Sequence, residues 1–283
     1  MSDLEALRAH IGRKVVEEDD ASAAPVRLMG ATFGRPEADP RPGAELPEGW
    51  HGLYFLPGTT AAELGPDGAP TSTGVIPPMP FPRRMAAGYR FRFHAPIRIG
   101  DRLRRETELL DVSIKEGSTG RLGFVTVRSR IFGPDGVCMD EERDTAFREA
   151  VPPGAKSAAP RRDPPPDGLP WRRVENPDPV VLFRYSALTF NSHRIHYDAD
   201  WARGVEGYPA LVVHGPLTTT FLLHFTKDNM PGRRLASFAI RARAPLFCGQ
   251  PVTLVGRPTE KGAEAWALTP SGTIAMSAEA TFA

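Results

Sequence analysis

The sequence predicts an α+β protein built from two copies of one antiparallel unit. Two observations predict it. The segment Ala95-Pro-Ile-Arg-Ile-Gly100-Asp101 recurs 149 residues later as Ala244-Pro-Leu-Phe-Cys-Gly249-Gln250, close to half of the 283-residue chain. Each copy sits between strand-like runs, and across the chain such runs outnumber helical ones, which favours mostly antiparallel sheet with a few helices.

The elements follow in chain order. Residues 3–12 and a short piece near 81–88 have helical patterning. Tyr89-Arg-Phe-Arg-Phe alternates and reads as a strand, then a Pro-marked bend and a Gly turn lead into a second strand over 103–112. Leu122–Phe132 also alternates. Gly133-Pro134-Asp135-Gly136 is a strong turn signal that leads into Val137-Cys138-Met139, so a hairpin is expected there. Residues 152–170 hold seven prolines, including Pro164-Pro165-Pro166. Few backbone donors remain in such a stretch, and it favours extended geometry, so it reads as a linker that joins neither core. The second copy repeats the order: Phe238–Arg243 as a strand, then the bend, then 252–256. Ile274–Phe282 supplies a last alternating strand. The helix of the second half is expected over 215–228. Two units result, 1–151 and 171–283, with the linker 152–170 between them.

Composition narrows the class. The chain is 41% hydrophobic and 24% charged, as in ordinary globular proteins, with a net charge of +1 that gives no footprint for nucleic acid. Cys138 and Cys248 form no Cys-x-x-Cys pair and no disulfide framework. Met-Ser-Asp-Leu-Glu-Ala-Leu at the start lacks the basic and apolar regions of a signal peptide, and no apolar stretch of about 18 residues appears. A cytoplasmic protein that neither spans a membrane nor binds nucleic acid is expected.

Residues 185–220 concentrate the chemistry. Tyr185-Ser-Ala-Leu-Thr-Phe-Asn191-Ser-His193-Arg194-Ile-His196-Tyr-Asp198 reads as a polar loop. Tyr208-Pro-Ala-Leu-Val-Val-His214-Gly215-Pro216 reads as a β-rich apolar run that turns into a helix. His196 can give or take a proton near neutrality, and the Asn191 carboxamide can hold a water in a fixed orientation. Asp198 could orient or tune His196. An Asn-favoured turn with a surface histidine is the competing reading. His193, His196 and His214 raise a metal site, but no thiolate or carboxylate set completes one and Arg194 sits between two of them. Pro216 suits the first turn of a helix, which would leave the Gly215 amide free to bind partial negative charge, as an oxyanion requires. A helix start chosen for packing explains the same residues. Arg233, Arg234, Arg241 and Arg243, and Arg83 with Arg84, could grip phosphates or form solvated strand faces.

The stretch from Tyr185 to Asp198, with Val213-His214-Gly215 downstream, resembles the MaoC-like and type 2 hydroxyacyl-thioester dehydratases. Within them it is most similar to the branch of mesaconyl-C4-CoA and itaconyl-CoA hydratases. The first half resembles that branch too, in Leu46-Pro-x-x-Trp50-His51, Tyr54-Phe-Leu-Pro57, Glu63-Leu-Gly-Pro-Asp-Gly and Pro82-Arg-Arg-Met-x-Ala-Gly88. The resemblance implies a double hotdog fold, two antiparallel sheets each wrapped around a long helix, with one complete site carried by the second repeat and a first repeat that shapes the pocket. It implies reversible hydration of a 2-enoyl-CoA, with Asn191, His196 and Gly215 as the catalytic residues. Tyr185, His193, Arg194, His214, Arg84 and Arg241 are the substrate-binding candidates, and Arg84 or Arg194 would receive a distal carboxylate. Asn191 stands where the family's usual motif has an Asp. No metal or cofactor is implied, since coenzyme A arrives as part of the substrate. A homodimer is compatible with the fold. A hotdog thioesterase and a non-catalytic acyl-thioester binding module are the alternative functions.

Overall fold

The computed structural model describes residues 3–35, 40–72, 74–117, 120–149 and 163–283. The chain divides into two compact units, Met1–Ala150 and Val151–Ala283.

The first unit contains α1 (Asp3–Arg8), β1 (Lys14–Asp20), α2 (Ala23–Phe33), β2 (Arg83–Phe93), β3 (Arg102–Gly117), β4 (Gly120–Gly133) and β5 (Gly136–Arg148). Its strands pair antiparallel in the order β1-β3-β4-β5-β2. The second unit contains β6 (Trp171–Glu175), α3 (Pro179–Leu188), α4 (Ala199–Gly204), α5 (Gly215–Asn229), β7 (Leu235–Ala242), β8 (Val252–Thr259), β9 (Gly262–Leu268) and β10 (Ile274–Phe282). Its strands pair antiparallel in the order β6-β8-β9-β10-β7, the same topology again.

The internal repeat is therefore a repeat of structure, down to single hydrogen bonds. The N–H groups of His94 and Ala95 share the Cys138 carbonyl at 2.8 and 3.1 Å, and those of Arg243 and Ala244 share the Ala275 carbonyl at the same distances. Gly100 donates to Ala21 O and Gly249 to Pro177 O, both at 2.9 Å. Both glycines have positive φ, 97° and 79°, which is why the turn in each copy carries Gly. The bridge Glu45↔Arg98 has its counterpart in Val212↔Phe247.

That last correspondence locates where the units diverge. Val212 leads into α5, of which ten residues from Leu217 to Thr226 are buried. Glu45 leads instead into a single 3-10 turn, Trp50–Leu53. The expectation of a long helix holds for the second repeat. In the first, the longest helix among the described residues is the 11-residue α2. Trp50 and Leu53, each 2% exposed, fill the core there, and His51 Nε2 bonds Glu141 Oε2 on β5 at 2.8 Å.

Three consecutive threonines make α5 an unobvious helix, since β-branched residues favour strands. Each hydroxyl bonds a carbonyl one turn back: Thr218 to His214, Thr219 to Gly215 and Thr220 to Pro216, at 3.0–3.3 Å. Their polarity is thereby satisfied in a buried setting. Leu217 and Leu222 are fully buried, and a leucine side chain removed from water contributes about 1.5–3 kcal/mol.

Several elements differ from expectation. The helix expected near 81–88 is the first half of β2, paired with β5 through a register shift at Ala86/Gly88. The local Arg-Arg-Met-Ala-Ala run favours helix, but cross-strand pairing overrides propensity. The helix expected over 3–12 ends at Arg8. The run Tyr208–Val213 bends at Pro209 and Ala210 and forms no strand, with only the Val212 bridge. Of the linker, 152–162 lie outside the described residues. Its remaining part does join the second unit: Leu169 packs on the cluster of Val255, Trp266, Leu268 and Ile274, and Asp163 pairs with Arg243.

Candidate active site

The polar segment begins on a helix, not in a loop. Asp178 caps α3, its Oδ1 accepting from Val181 N–H at 2.8 Å, and Pro179 occupies the first turn. Leu182 and Tyr185 face inward. Past the end of α3, Phe190 takes φ +49°, a left-handed conformation that strains a bulky residue by about 1–3 kcal/mol. The reversal lets the Asn191 N–H donate to Ser186 O at 2.8 Å. Asn191 Oδ1 then accepts from His193 N–H at 3.1 Å, which fixes the carboxamide.

His196 ends a 3-10 turn, Arg194–His196, that is stitched to the strand-like segment before α5. Val212 N–H donates to Ile195 O at 2.9 Å, and Val212 O lies 2.7 Å from His196 Nδ1. A carbonyl only accepts, so Nδ1 carries the proton and Nε2 presents its lone pair. His196 is 7% exposed. Burial pushes its pKa down to about 3, with the Val212 bond opposing and His193 adding to the depression. The ring is a neutral imidazole.

His214 is fully buried at the N-cap of α5. Its ring stacks on that of His196, with centroids 3.6 Å apart and planes 18° from parallel. Nε2 lies 2.8 Å from Ser186 Oγ, and the buried Nδ1 has no partner. Burial first, then His196 and His193, hold its pKa well below the usual histidine range. Tyr185 tilts against His214 at 5.1 Å, and His193 meets His196 edge-on at 5.6 Å. Among the described residues, no group of three or more His, Cys, Asp or Glu is arranged to hold a metal ion.

The structure thus brings Tyr185, Asn191, His193, His196, His214 and Gly215 together around the start of α5. Arg194 lies on the same turn, but its guanidinium bonds Asp198 Oδ2 at 2.7 Å and lies 4.0 Å over the Trp201 ring. Asp198 also caps α4 through Trp201 N–H at 2.9 Å. That backbone bond, then Arg194, holds its carboxyl below the usual range. Asp198 therefore serves the turn and α4, and the Val212 carbonyl is what orients His196. Arg241 is exposed on β7 while Phe238 and Ile240 are buried, so strand alternation puts it on the opposite sheet face. Arg84 belongs to the first unit, half-buried on β2; burial lowers its pKa, with Asp67 opposing and Arg143 adding.

Sequence reasoning missed Ser186 and the Val212 carbonyl. Asp178-Pro179 is the signal for the first, since it starts a helix that carries Ser186 toward His214. Backbone carbonyls leave no trace in residue identity.

Comparison with known proteins shows the family. Residues 49–248 match the family model for hydroxyacyl-thioester dehydratase type 2. The chain is 43% identical over 271 residues to mesaconyl-C(4)-CoA hydratase of Chloroflexus aurantiacus, covering 95% of each. It superposes on a MaoC-like dehydratase with TM-score 0.72 at 16% identity, over 96% of this chain and 98% of that one. A Mycobacterium tuberculosis protein described as having a double hotdog fold superposes with TM-score 0.54 at 16% identity, over 96% of both. The fold is a double hotdog, and the chain belongs to the hydroxyacyl-thioester dehydratase type 2 family.

Proposed function

We propose that this protein adds water reversibly across the 2,3 double bond of an enoyl-CoA thioester. The observation that carries the reading is His196: buried, neutral and tied through Nδ1 to Val212, it keeps Nε2 as a base beside the start of α5.

The geometry supports the following steps. Asn191, its Oδ1 fixed by His193 N–H, holds the water with its carboxamide. His196 Nε2 takes a proton as the water oxygen bonds C3. The double-bond electrons move toward the thioester carbonyl, where the Gly215 N–H in the first turn of α5 stabilises the enolate oxygen. The imidazolium then returns its proton to Cα. A pKa of about 3 makes that imidazolium costly on its own. The adjacent enolate charge offsets this cost, which ties proton transfer to carbonyl polarisation. The reaction as written uses no redox cofactor or metal, and coenzyme A belongs to the substrate.

The acyl group is read as a C4-mesaconyl or itaconyl type. This rests on the name and 43% identity of the Chloroflexus relative. Arg194 is already paired with Asp198, so it does not serve as the receiver for a distal carboxylate. No helix among the described residues is long and apolar enough to cross a membrane. A cytoplasmic protein, monomeric or a homodimer, suits this reading.

The test is a mass-resolved panel of enoyl-CoA and 3-hydroxyacyl-CoA esters. Gain or loss of one water supports the reading. Release of free thiol would replace it with a thioesterase, and tight binding without chemistry would replace it with a binding module.

A further inference from the structure

Two hydrogen bonds meet at Ser186. Its side-chain oxygen lies 2.8 Å from His214 Nε2. Its carbonyl accepts from Asn191 N–H at 2.8 Å. Through His214 it underlies His196, whose ring is stacked at 3.6 Å. His214 is fully buried, and Ser186 is the hydrogen-bond partner that its imidazole has in the structure. Without that bond the ring would keep its volume but lose what sets its rotation about the Cβ–Cγ bond.

We infer that Ser186 and His214 form a positioning pair, with His214 as the platform that fixes the plane of the His196 ring and Ser186 as the anchor that fixes the platform and holds Asn191 in the same frame. Neither residue touches the reacting atoms in this scheme. The inference rests on the reading of His196 as the proton carrier.

The Val212 carbonyl holds one edge of the His196 ring, at Nδ1. One hydrogen bond leaves rotation about its own axis open, and Nε2 would sweep an arc as the ring turned. A stacked partner closes that freedom. Only the edge held by Val212 and the face held by His214 together define where the Nε2 lone pair points. Ser186 sits on α3, a capped helix, so the frame is referred to regular structure and not to the turn itself.

The experiment compares Ser186→Ala, Ser186→Cys and Ser186→Thr in steady-state hydration of the enoyl-CoA found active in the panel, with the His196 ring resonances followed by NMR. Ser186→Ala is expected to lower kcat by about 10- to 100-fold with KM little changed, as for a small misplacement of a catalytic group. Ser186→Cys keeps the shape and is expected to lose nearly as much, while Ser186→Thr restores most of the rate. The His196 ring protons, shifted by the stacked His214 ring, move toward ordinary values in the Ala and Cys variants and stay put in Thr. Folded Ala or Cys variants with wild-type kcat and unmoved His196 resonances overturn the inference, as does a rise in KM at unchanged kcat. If His196→Ala still hydrates the substrate, the proton role is what fails. The resonances report ring position without turnover and so test the positioning pair separately.

Discussion

The Val212 carbonyl oxygen lies 2.7 Å from His196 Nδ1 and leaves His196 one defined tautomer. The bond comes from the residue that leads into α5, so one short segment both orients the His196 ring and starts the helix that begins at Gly215.

Burial of His196 has a pH signature. Its pKa is pushed from 6.5 to about 3, so the base stays unprotonated where a free histidine would titrate. We expect kcat/KM on the enoyl-CoA to show no limb near about pH 6.5. Such a limb, assigned to His196 by NMR titration, would contradict the neutral buried imidazole. The sign for stability follows. The unfolded chain binds the proton first, so the contribution is complete above about 6.5 and is lost as pH falls toward about 3, at up to about 1.4 kcal/mol per pH unit. Urea unfolding of wild type and His196→Phe at stepped pH measures the difference.

The first unit holds a largely buried pair, His51 and Glu141, with side chains 10% and 17% exposed. Removing the carboxylate leaves His51 Nε2 without its partner, so Glu141→Leu is expected to cost about 1–3 kcal/mol in chemical unfolding. Burial raises the Glu141 pKa, but the His51 bond and charge, with Arg143 and Arg105, bring it below its usual value. Its stabilisation is therefore present above the unfolded carboxylate value and lost as pH falls through the lower folded one. A variant as stable as wild type would show that Trp50 and Leu53 alone hold the turn.

Helix α5 depends on packing from within. Leu222 is fully buried in its middle, and Leu222→Ala is expected to destabilise the protein by about 2–5 kcal/mol, read by thermal or urea unfolding. A loss under about 1 kcal/mol would mean that the site collapses around the cavity.

Asn191 separates two versions of the chemistry. Asp at this position keeps the acceptor for His193 N–H and loses the amide donors. We expect Asn191→Asp to fold normally and to lower kcat by at least about 10-fold. A faster enzyme would show that a carboxylate and His196 work as two bases.

The repeat was legible because its signals are chemical exceptions: Pro bends and Gly turns at Gly100 and Gly249, where φ is positive. The start of α5 was legible for the same reason, through Gly215-Pro216. Strand β2 was only half legible, since Arg83–Gly88 takes its conformation from β5 across the ladder. The last turn of α3, from Tyr185, falls in the stretch that reads as a polar loop, although Asp178-Pro179 marks the start of the helix. His196, Asn191 and Gly215 stood out by type and spacing. The stack of His214 on His196 joins residues 18 positions apart, and neither its distance nor its tilt is encoded locally. No residue pattern announces that the first unit has no helix longer than α2 among its described residues; the bridge Glu45↔Arg98, the counterpart of Val212↔Phe247, marks where the two units diverge.

The most direct test of the account is single-turnover hydration of an enoyl-CoA by His196→Ala beside wild type, with acyl-CoA binding measured in parallel. The account predicts retained binding and a rate lowered by about 100-fold or more, the scale of a lost general acid and base. Hydration by the variant at the wild-type rate would contradict it.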